Sequence, residues 1–246
     1  MNSPYIKISN NLSEVWLEVF QHIIDCSGTE LSPLVISLTG SDEHIKIKNV
    51  LNNSLSNKGL DSINTVAETI FPQSLYNFEK KDRQKLYENY LNKVLPRLKK
   101  IDQRNSSGTY FQRMIAYGDT DVNQLEIVIN SLIAKNVKRR SKLQISIFDP
   151  LWDHKSGMFQ GFPCLQHITF YKSETGGLII NSFYAIQYFY QRAYGNWLGL
   201  INLGKFVAEQ ANIPFEGFNC FIGVEKMDHL TKAMAKELIA KMETTE

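Results

Sequence analysis

Three groups of residues in this sequence have the types and spacing that chemistry needs. Cys164 stands in Gly161-Phe162-Pro163-Cys164-Leu165-Gln166-His167, at the entry to an expected strand, where a side chain can project from a sheet edge into a cleft. A thiol there is either a nucleophile, once it has lost its proton, or a small buried hydrophobe. Arg192 closes Tyr190-Gln191-Arg192 after a long apolar strand, and its guanidinium is either held in a pocket for a phosphate or sits at a surface strand end. The basic run Lys135, Lys138, Arg139, Arg140 and Lys142 is either a local anion site or a solvated loop. Cys26 and Cys220 have no comparable context, and the three cysteines fit neither a disulfide framework nor a zinc spacing. No Gly-rich phosphate loop, His-Glu-x-x-His motif or Gly-x-Ser-x-Gly elbow occurs, which argues against the common nucleotide triphosphatases, zincins and serine hydrolases. No metal site is expected.

The elements that must position these residues can be read from periodicity. Residues 12–24 place Val15, Trp16, Val19, Phe20 and Ile23 on one helical face, with Ser13 as the expected cap. Leu34–Leu38 reads as a short buried strand, 42–57 as a helix, and Asp61–Phe71 as a helix that Pro72 ends. Residues 82–102 form the longest amphipathic segment, with Pro96 as a kink or early stop. A helix over 121–135 precedes a strand around Leu143, Ile145 and Ile147. Strands at 164–172 and 177–191 flank the Gly176-Gly177 turn as a hairpin. A helix at 197–212, a strand at 217–224 and a charged helix at 226–243 complete the chain. Helices and strands mix without strict alternation, so the expected class is α+β, with one main sheet covered by helices on one face and the other face left for a partner.

The chain has 246 residues, 43% hydrophobic and 21% charged, which suits one globular domain over 1–246 and excludes a disordered or fibrous chain. With 27 basic and 25 acidic residues the net charge is +2, too small for a global attraction to a nucleic-acid polymer or an anionic membrane. The opening residues lack a basic and apolar leader, and no apolar run approaches about 18 residues, so a cytoplasmic location with no membrane span is expected.

Pro163-Cys164 at a strand start, a hairpin ending in Tyr190-Gln191-Arg192, then Leu198-Gly199-Leu200 and an Asn at a helix start together resemble the core of the thymidylate synthase family. Glu68 in a helix, Tyr110 after a Gly-containing loop and Lys138-Arg139-Arg140 before a strand fall upstream in the same order. The resemblance runs from about Val66 to Val224 and leaves residues 1–60 as a divergent N-terminal part. It implies a thymidylate-synthase-like sheet whose open face makes a homodimer. Cys164 as thiolate, favoured by Arg192, would add to C6 of a pyrimidine nucleotide and turn C5 into a carbon nucleophile. Arg192 would bind the 5′-phosphate, together with Arg139 and Arg140 from the partner subunit. Glu68 would relay a proton toward O4, Tyr110 would help remove the C5 proton, and Asn202 would read the pyrimidine edge. The carbon donor would be 5,10-methylenetetrahydrofolate.

The sequence departs from the family pattern at several places: the His and Tyr that hold the sugar 3′-hydroxyl have no counterpart in Phe221–Met227, and the stretch from Cys164 to Arg192 is longer than the family's hairpin. Ala193 stands where a phosphate-binding Ser is usual, Leu165 where a His follows the Cys, and Gly195 or Asn196 where a folate-binding Asp is usual. The expected activity is transfer of a methyl or hydroxymethyl group to C5 of a pyrimidine nucleotide monophosphate. The alternatives are an inert or regulatory pyrimidine-nucleotide-binding protein of the same fold, and an unrelated interaction protein using the 82–102 helix face.

Overall fold

The computed structural model describes residues 3–120, 122–134, 139–154 and 163–243. The expected basic residues Lys135 and Lys138, and Gly161-Phe162 ahead of Cys164, lie outside them. The chain begins with β1 (Tyr5–Asn11) and α1 (Leu12–Asp25), followed by β2 (Glu30–Leu31), β3 (Leu34–Asp42), α2 (Ile45–Asn57) and α3 (Ile63–Ile70). Next come α4 (Arg83–Asn89), α5 (Leu95–Ile101), α6 (Tyr110–Ile115), α7 (Gln124–Ile133), β4 (Gln144–Ser146) and α8 (Pro150–Asp153). The last part holds β5 (Leu165–Lys172), β6 (Leu178–Tyr188), α9 (Tyr194–Gln210), β7 (Phe215–Lys226) and α10 (Lys232–Glu243).

The fold is α+β. A seven-stranded mixed sheet runs in the order β1-β3-β7-β6-β5-β4, with β2 added beside β7. The β1–β3 and β6–β7 pairs are parallel and the rest antiparallel. Helices cover one face, where Leu34, Ile36, Ile168, Ile180, Phe218 and Ile222 join one contiguous core with α1, α3 and α9. The opposite face carries exposed Ile6, Ile8, Phe183 and Phe221, the last two stacked with ring centroids 5.6 Å apart. No helix among the described residues is long and apolar enough to cross a membrane.

Local chemistry explains where the observed elements depart from the expected ones. The cap of α1 is Asn11, not Ser13: Asn11 Oδ1 accepts from the N–H groups of Ser13 and Glu14 at 2.9 and 3.2 Å. The Ser13 hydroxyl instead lies buried against the Tyr194 hydroxyl at 2.7 Å. Near Pro96, which has no N–H to give, the helix widens into a π-helical turn over Tyr90–Val94, where the Leu95 N–H reaches back to the Tyr90 carbonyl. A second π-helical turn, Phe189–Ala193, cuts β6 short at Tyr188 and leads directly into α9. Arg192 is therefore presented from a helical turn, not from the end of a strand.

Two glycines set how closely α9 approaches α3. A Cβ on Gly195 would lie 2.5 Å from Val66 Cβ, and one on Gly199 would lie 2.7 Å from the Ala67 carbonyl oxygen. The helices touch backbone to backbone there. An Asp at position 195 has no room, which gives a packing reason for its absence.

Candidate functional site

A cavity of about 370 Å³ opens between the two π-helical turns, the start of α6 and the β5–β6 edge. Cys164, Tyr110 and Arg192, far apart in the chain, all line it, together with Tyr90, Gln187 and Asn196. The location of both π-helical turns at this cavity is in keeping with the usual association of such turns with functional sites.

Each group is held by a specific device. Cys164 sits just before β5, and its carbonyl accepts from the Ala185 N–H at 3.0 Å, which ties it to β6. Thr109 caps α6 and shares a 2.7 Å hydrogen bond with the Tyr90 hydroxyl, joining the first π-helical turn to the helix that carries Tyr110. The second π-helical turn is held by Asp228, whose Oδ1 accepts from the Tyr190 N–H at 2.8 Å. Arg113, also on the cavity wall, makes a buried two-pronged ion pair with Asp153 at 2.6 and 2.8 Å and donates to the Ile147 carbonyl at 2.8 Å. That pair pins α6 to α8.

The electrostatics of the thiol depart from the sequence-based expectation. Arg192 pulls the Cys164 pKa down, but burial pushes it up by more, so the net shift is upward. The expected bias toward thiolate is thus corrected: desolvation outweighs a cation whose side chain is itself about one third exposed. Arg192 is also paired, its Nη1 lying 3.0 Å from Asp61 Oδ2. Burial and the neighbouring thiol hold the Tyr110 phenol up at about 12, although the backbone N–H groups of Leu165 and Cys164 donate to it and Arg192 lies near. Tyr110 is neutral at ordinary pH.

The other expected residues lie elsewhere. Glu68 is turned to the loop after α3, where its carboxylate accepts from the Ser74 N–H at 3.0 Å and the Ser74 hydroxyl at 2.8 Å; its neighbour Thr69 reaches the cavity instead. Asn202, two turns into α9, is half-buried and does not line the cavity. The amides on the wall are those of Asn105, Gln187 and Asn196. Arg139 and Arg140 are exposed and away from this cavity, with the Arg140 guanidinium 5.1 Å from the centre of the Tyr171 ring. Tyr171 alternates with inward-facing Phe170 on β5, so this arginine stands by the uncovered sheet face.

Gln187 escapes a periodicity reading for a definite reason. Along β6 the inward residues are Leu178, Ile180, Ser182 and Tyr184, which predicts Ile186 next, yet Ile186 is exposed and Gln187 is buried. On β7 the phase also changes, from Phe218, Cys220 and Ile222 to Glu225. The two strands change phase side by side, next to Gly223, where a Cβ would lie 2.7 Å from the Ala185 carbonyl oxygen. Irregularities of this kind re-aim side chains beside functional sites.

A second cavity of about 170 Å³ shares Gly108 and Arg113 with the first and is lined by Lys99, Gln112, Tyr117 and Trp152. The Gln112 Oε1 there is buried with no partner among the described residues. No group of three or more His, Cys, Asp or Glu among the described residues is arranged to hold a metal ion. No protein-family model matches the chain, and no curated protein is significantly similar to it.

Proposed function

We propose that this protein is a thymidylate-synthase-like transferase that adds a one-carbon unit to C5 of a pyrimidine nucleotide monophosphate through a covalent Cys164 adduct. The observation that carries the reading is the meeting of Cys164, Tyr110 and Arg192 on one cavity of about 370 Å³, a size that suits a nucleotide. A nucleophile, a neutral hydroxyl and a cation are what the chemistry calls for, and the chain order in which they occur is the family's.

The Cys164 thiol gives its proton to solvent, and sulfur bonds to C6 while the C5–C6 π pair moves onto C5 and O4. C5 would then bond to the methylene carbon of the one-carbon carrier. Loss of the C5 proton would expel the carrier's nitrogen with the carbon–nitrogen pair and leave an exocyclic methylene on C5; addition of water to it, or of a hydride given up by the reduced carrier, would yield the hydroxymethyl or methyl product as the electron pair returned through C5 expels the Cys164 thiolate from C6. Tyr110, neutral beside Cys164, serves by hydrogen bonding to the water that takes the C5 proton, because a phenol at about 12 is a poor base itself. Arg192 holds the 5′-phosphate after exchanging Asp61 for it.

A methylene folate supplies a carbon at the formaldehyde level of oxidation when bound. The second cavity offers groups that suit it: the unpartnered Gln112 Oε1 for a ring N–H, the Trp152 indole for a flat ring and Lys99 for a carboxylate. The open sheet face, with Phe183 stacked on Phe221, supports a homodimer.

Intact-mass analysis after incubation with 5-fluoro-2′-deoxyuridine 5′-monophosphate, with and without methylenetetrahydrofolate, tests the reading. A stable adduct that is absent from Cys164→Ser supports it. No adduct under either condition sinks the covalent mechanism and leaves the nucleotide-binding alternative to be tested by titration.

A further inference from the structure

The helical stretch that carries Arg192 begins without a cap of its own. The π-helical turn Phe189–Ala193 runs straight on into α9, and the first N–H groups of such a stretch have no carbonyl behind them to bond. The residue before it, Tyr188, still belongs to β6 and makes no side-chain cap. A Ser, Thr, Asp or Asn in that place would ordinarily supply the acceptor. Here the acceptor comes from 38 residues further along the chain, where Asp228 Oδ1 takes the Tyr190 N–H at 2.8 Å. A carboxyl group at the N-terminal end of a helix also suits the helix dipole.

Asp228 is itself firmly placed. Its side chain is 9% exposed, and it stands in a tight turn just after β7. On one side the Met227 N–H donates to the Thr29 carbonyl at 2.8 Å; on the other the Leu230 N–H returns to the Asp228 carbonyl at 2.6 Å. His229, between them, takes the left-handed φ of +55° that closes the turn. Tyr190 is anchored at its other end as well, its hydroxyl lying 2.7 Å from Ser54 Oγ. The π-helical turn is thus fixed at Tyr190 from two directions, two residues ahead of Arg192.

Arg192 depends on that support. Its side chain is 35% exposed, and its ion pair is with Asp61, which is half exposed and holds it only weakly. Its place on the cavity wall is set by its backbone. We propose that Asp228 is a positioning residue, which caps the π-helical turn, holds Arg192 toward the cavity and so sets the affinity for the 5′-phosphate. This rests on the nucleotide reading above. Without the cap the turn frays, only a fraction of the molecules present the guanidinium to the phosphate, and the apparent affinity falls by that fraction. A nucleoside has no phosphate and loses nothing.

Calorimetric titration of the full chain with 2′-deoxyuridine 5′-monophosphate and with 2′-deoxyuridine tests this. Asp228→Ala should weaken nucleotide binding about threefold or more and leave nucleoside binding within about twofold of wild type. Asp228→Asn keeps an oxygen for the Tyr190 N–H and should stay within about twofold of wild type for both ligands. In an Arg192→Ala background Asp228→Ala should change nucleotide affinity by less than about twofold, because the group it positions is gone. Hydrogen exchange on the wild type needs no variant, and residues 189–193 should be protected like the following turns of α9. A purely structural aspartate would lower thermal stability without touching the nucleotide-to-nucleoside ratio. An unchanged ratio in folded Asp228→Ala, a lost ratio in folded Asp228→Asn, a full loss that persists without Arg192, or unprotected N–H groups at 189–193 would each overturn the assignment while leaving nucleotide binding intact. Failure of the wild type to bind the nucleotide would overturn the nucleotide reading itself, and this inference with it.

Discussion

Arg192 and Asp61 form an ion pair with 3.0 Å between Nη1 and Oδ2, the arginine arriving from the second π-helical turn and the aspartate from the residues just before α3. Both side chains are partly exposed, and pairs of that kind are worth about 0.2–1 kcal/mol. Asp61 thus competes weakly with any anion for the guanidinium. Asp61→Asn should strengthen binding of a nucleotide monophosphate by up to about fivefold, most clearly at low salt. Arg192→Ala should weaken it severalfold or more while barely changing binding of the corresponding nucleoside. Calorimetry on the two ligands checks both, and equal losses for nucleotide and nucleoside in Arg192→Ala would make the arginine structural.

The Cys164 thiol is pushed up by burial and pulled down by Arg192, with burial the larger influence. Its alkylation by iodoacetamide should therefore be slow near neutrality and accelerate with pH, with an inflection above the ordinary thiol range of about 8.5. In Arg192→Ala the inflection should move further up, because the charge that pulls it down is lost. Peptide-level mass spectrometry separates Cys164 from half-buried Cys26 and buried Cys220. An inflection at or below the ordinary value would show that the cation, not burial, governs this thiol.

Cys164, Tyr110 and Arg192 were legible in the sequence because each lies beside a local marker: a Pro at a strand entry, a Gly-containing loop, a Tyr-Gln-Arg run. Glu68 and Asn202 are marked in the sequence only by their place in an order, and order does not fix the direction of a side chain. On α3 Glu68, which accepts from the following loop, and Thr69, which reaches the cavity, are neighbours in sequence. A helix turns about 100° per residue, so one position decides the matter. Gln187 was hidden by a phase change in β6 that strict alternation excludes. The α+β class was readable from the mix of periods, but β1 was not. Its partner β3 is parallel and separated from it by all of α1, and its outward Ile6 and Ile8 lie on the sheet face that no helix covers.

Glu225 gives a stability prediction with a definite sign. Burial holds its carboxyl far above the ordinary carboxylate range, and repulsion from Asp228 adds to the shift. The unfolded chain releases this proton above about pH 4.3, while the folded chain keeps it. The unfolded state then binds fewer protons, and this group lowers stability by about 1.4 kcal/mol for each further pH unit until the folded pKa is reached. Glu225→Gln removes that dependence. The variant should gain stability relative to wild type as pH rises from about 5 to about 7.5. Asp228, also raised, is present in both proteins and cancels in the comparison. Urea unfolding at the two pH values measures the difference, and a gain that shrinks with pH would contradict a buried neutral acid.

The shared-site model of the dimer is tested by complementation. Arg139 and Arg140 lie away from the cavity of their own chain, and Arg140 stands over Tyr171 by the uncovered sheet face. Two copies packed through that face would bring each basic pair toward the other's cavity, and two-fold symmetry would make each subunit serve its neighbour. Cys164→Ser and the double variant Arg139→Ala, Arg140→Ala should each be inactive or strongly impaired as homodimers. A heterodimer of the two has one site that lacks both the thiol and the arginines, and one with every wild-type group. Mixing should therefore restore activity toward one functional site per dimer. If heterodimers form, as native mass spectrometry would show, and activity does not return, the arginines do not act across the interface. A monomer at assay concentration removes the model more directly, and returns the basic pair to the solvated loop that its composition alone suggests.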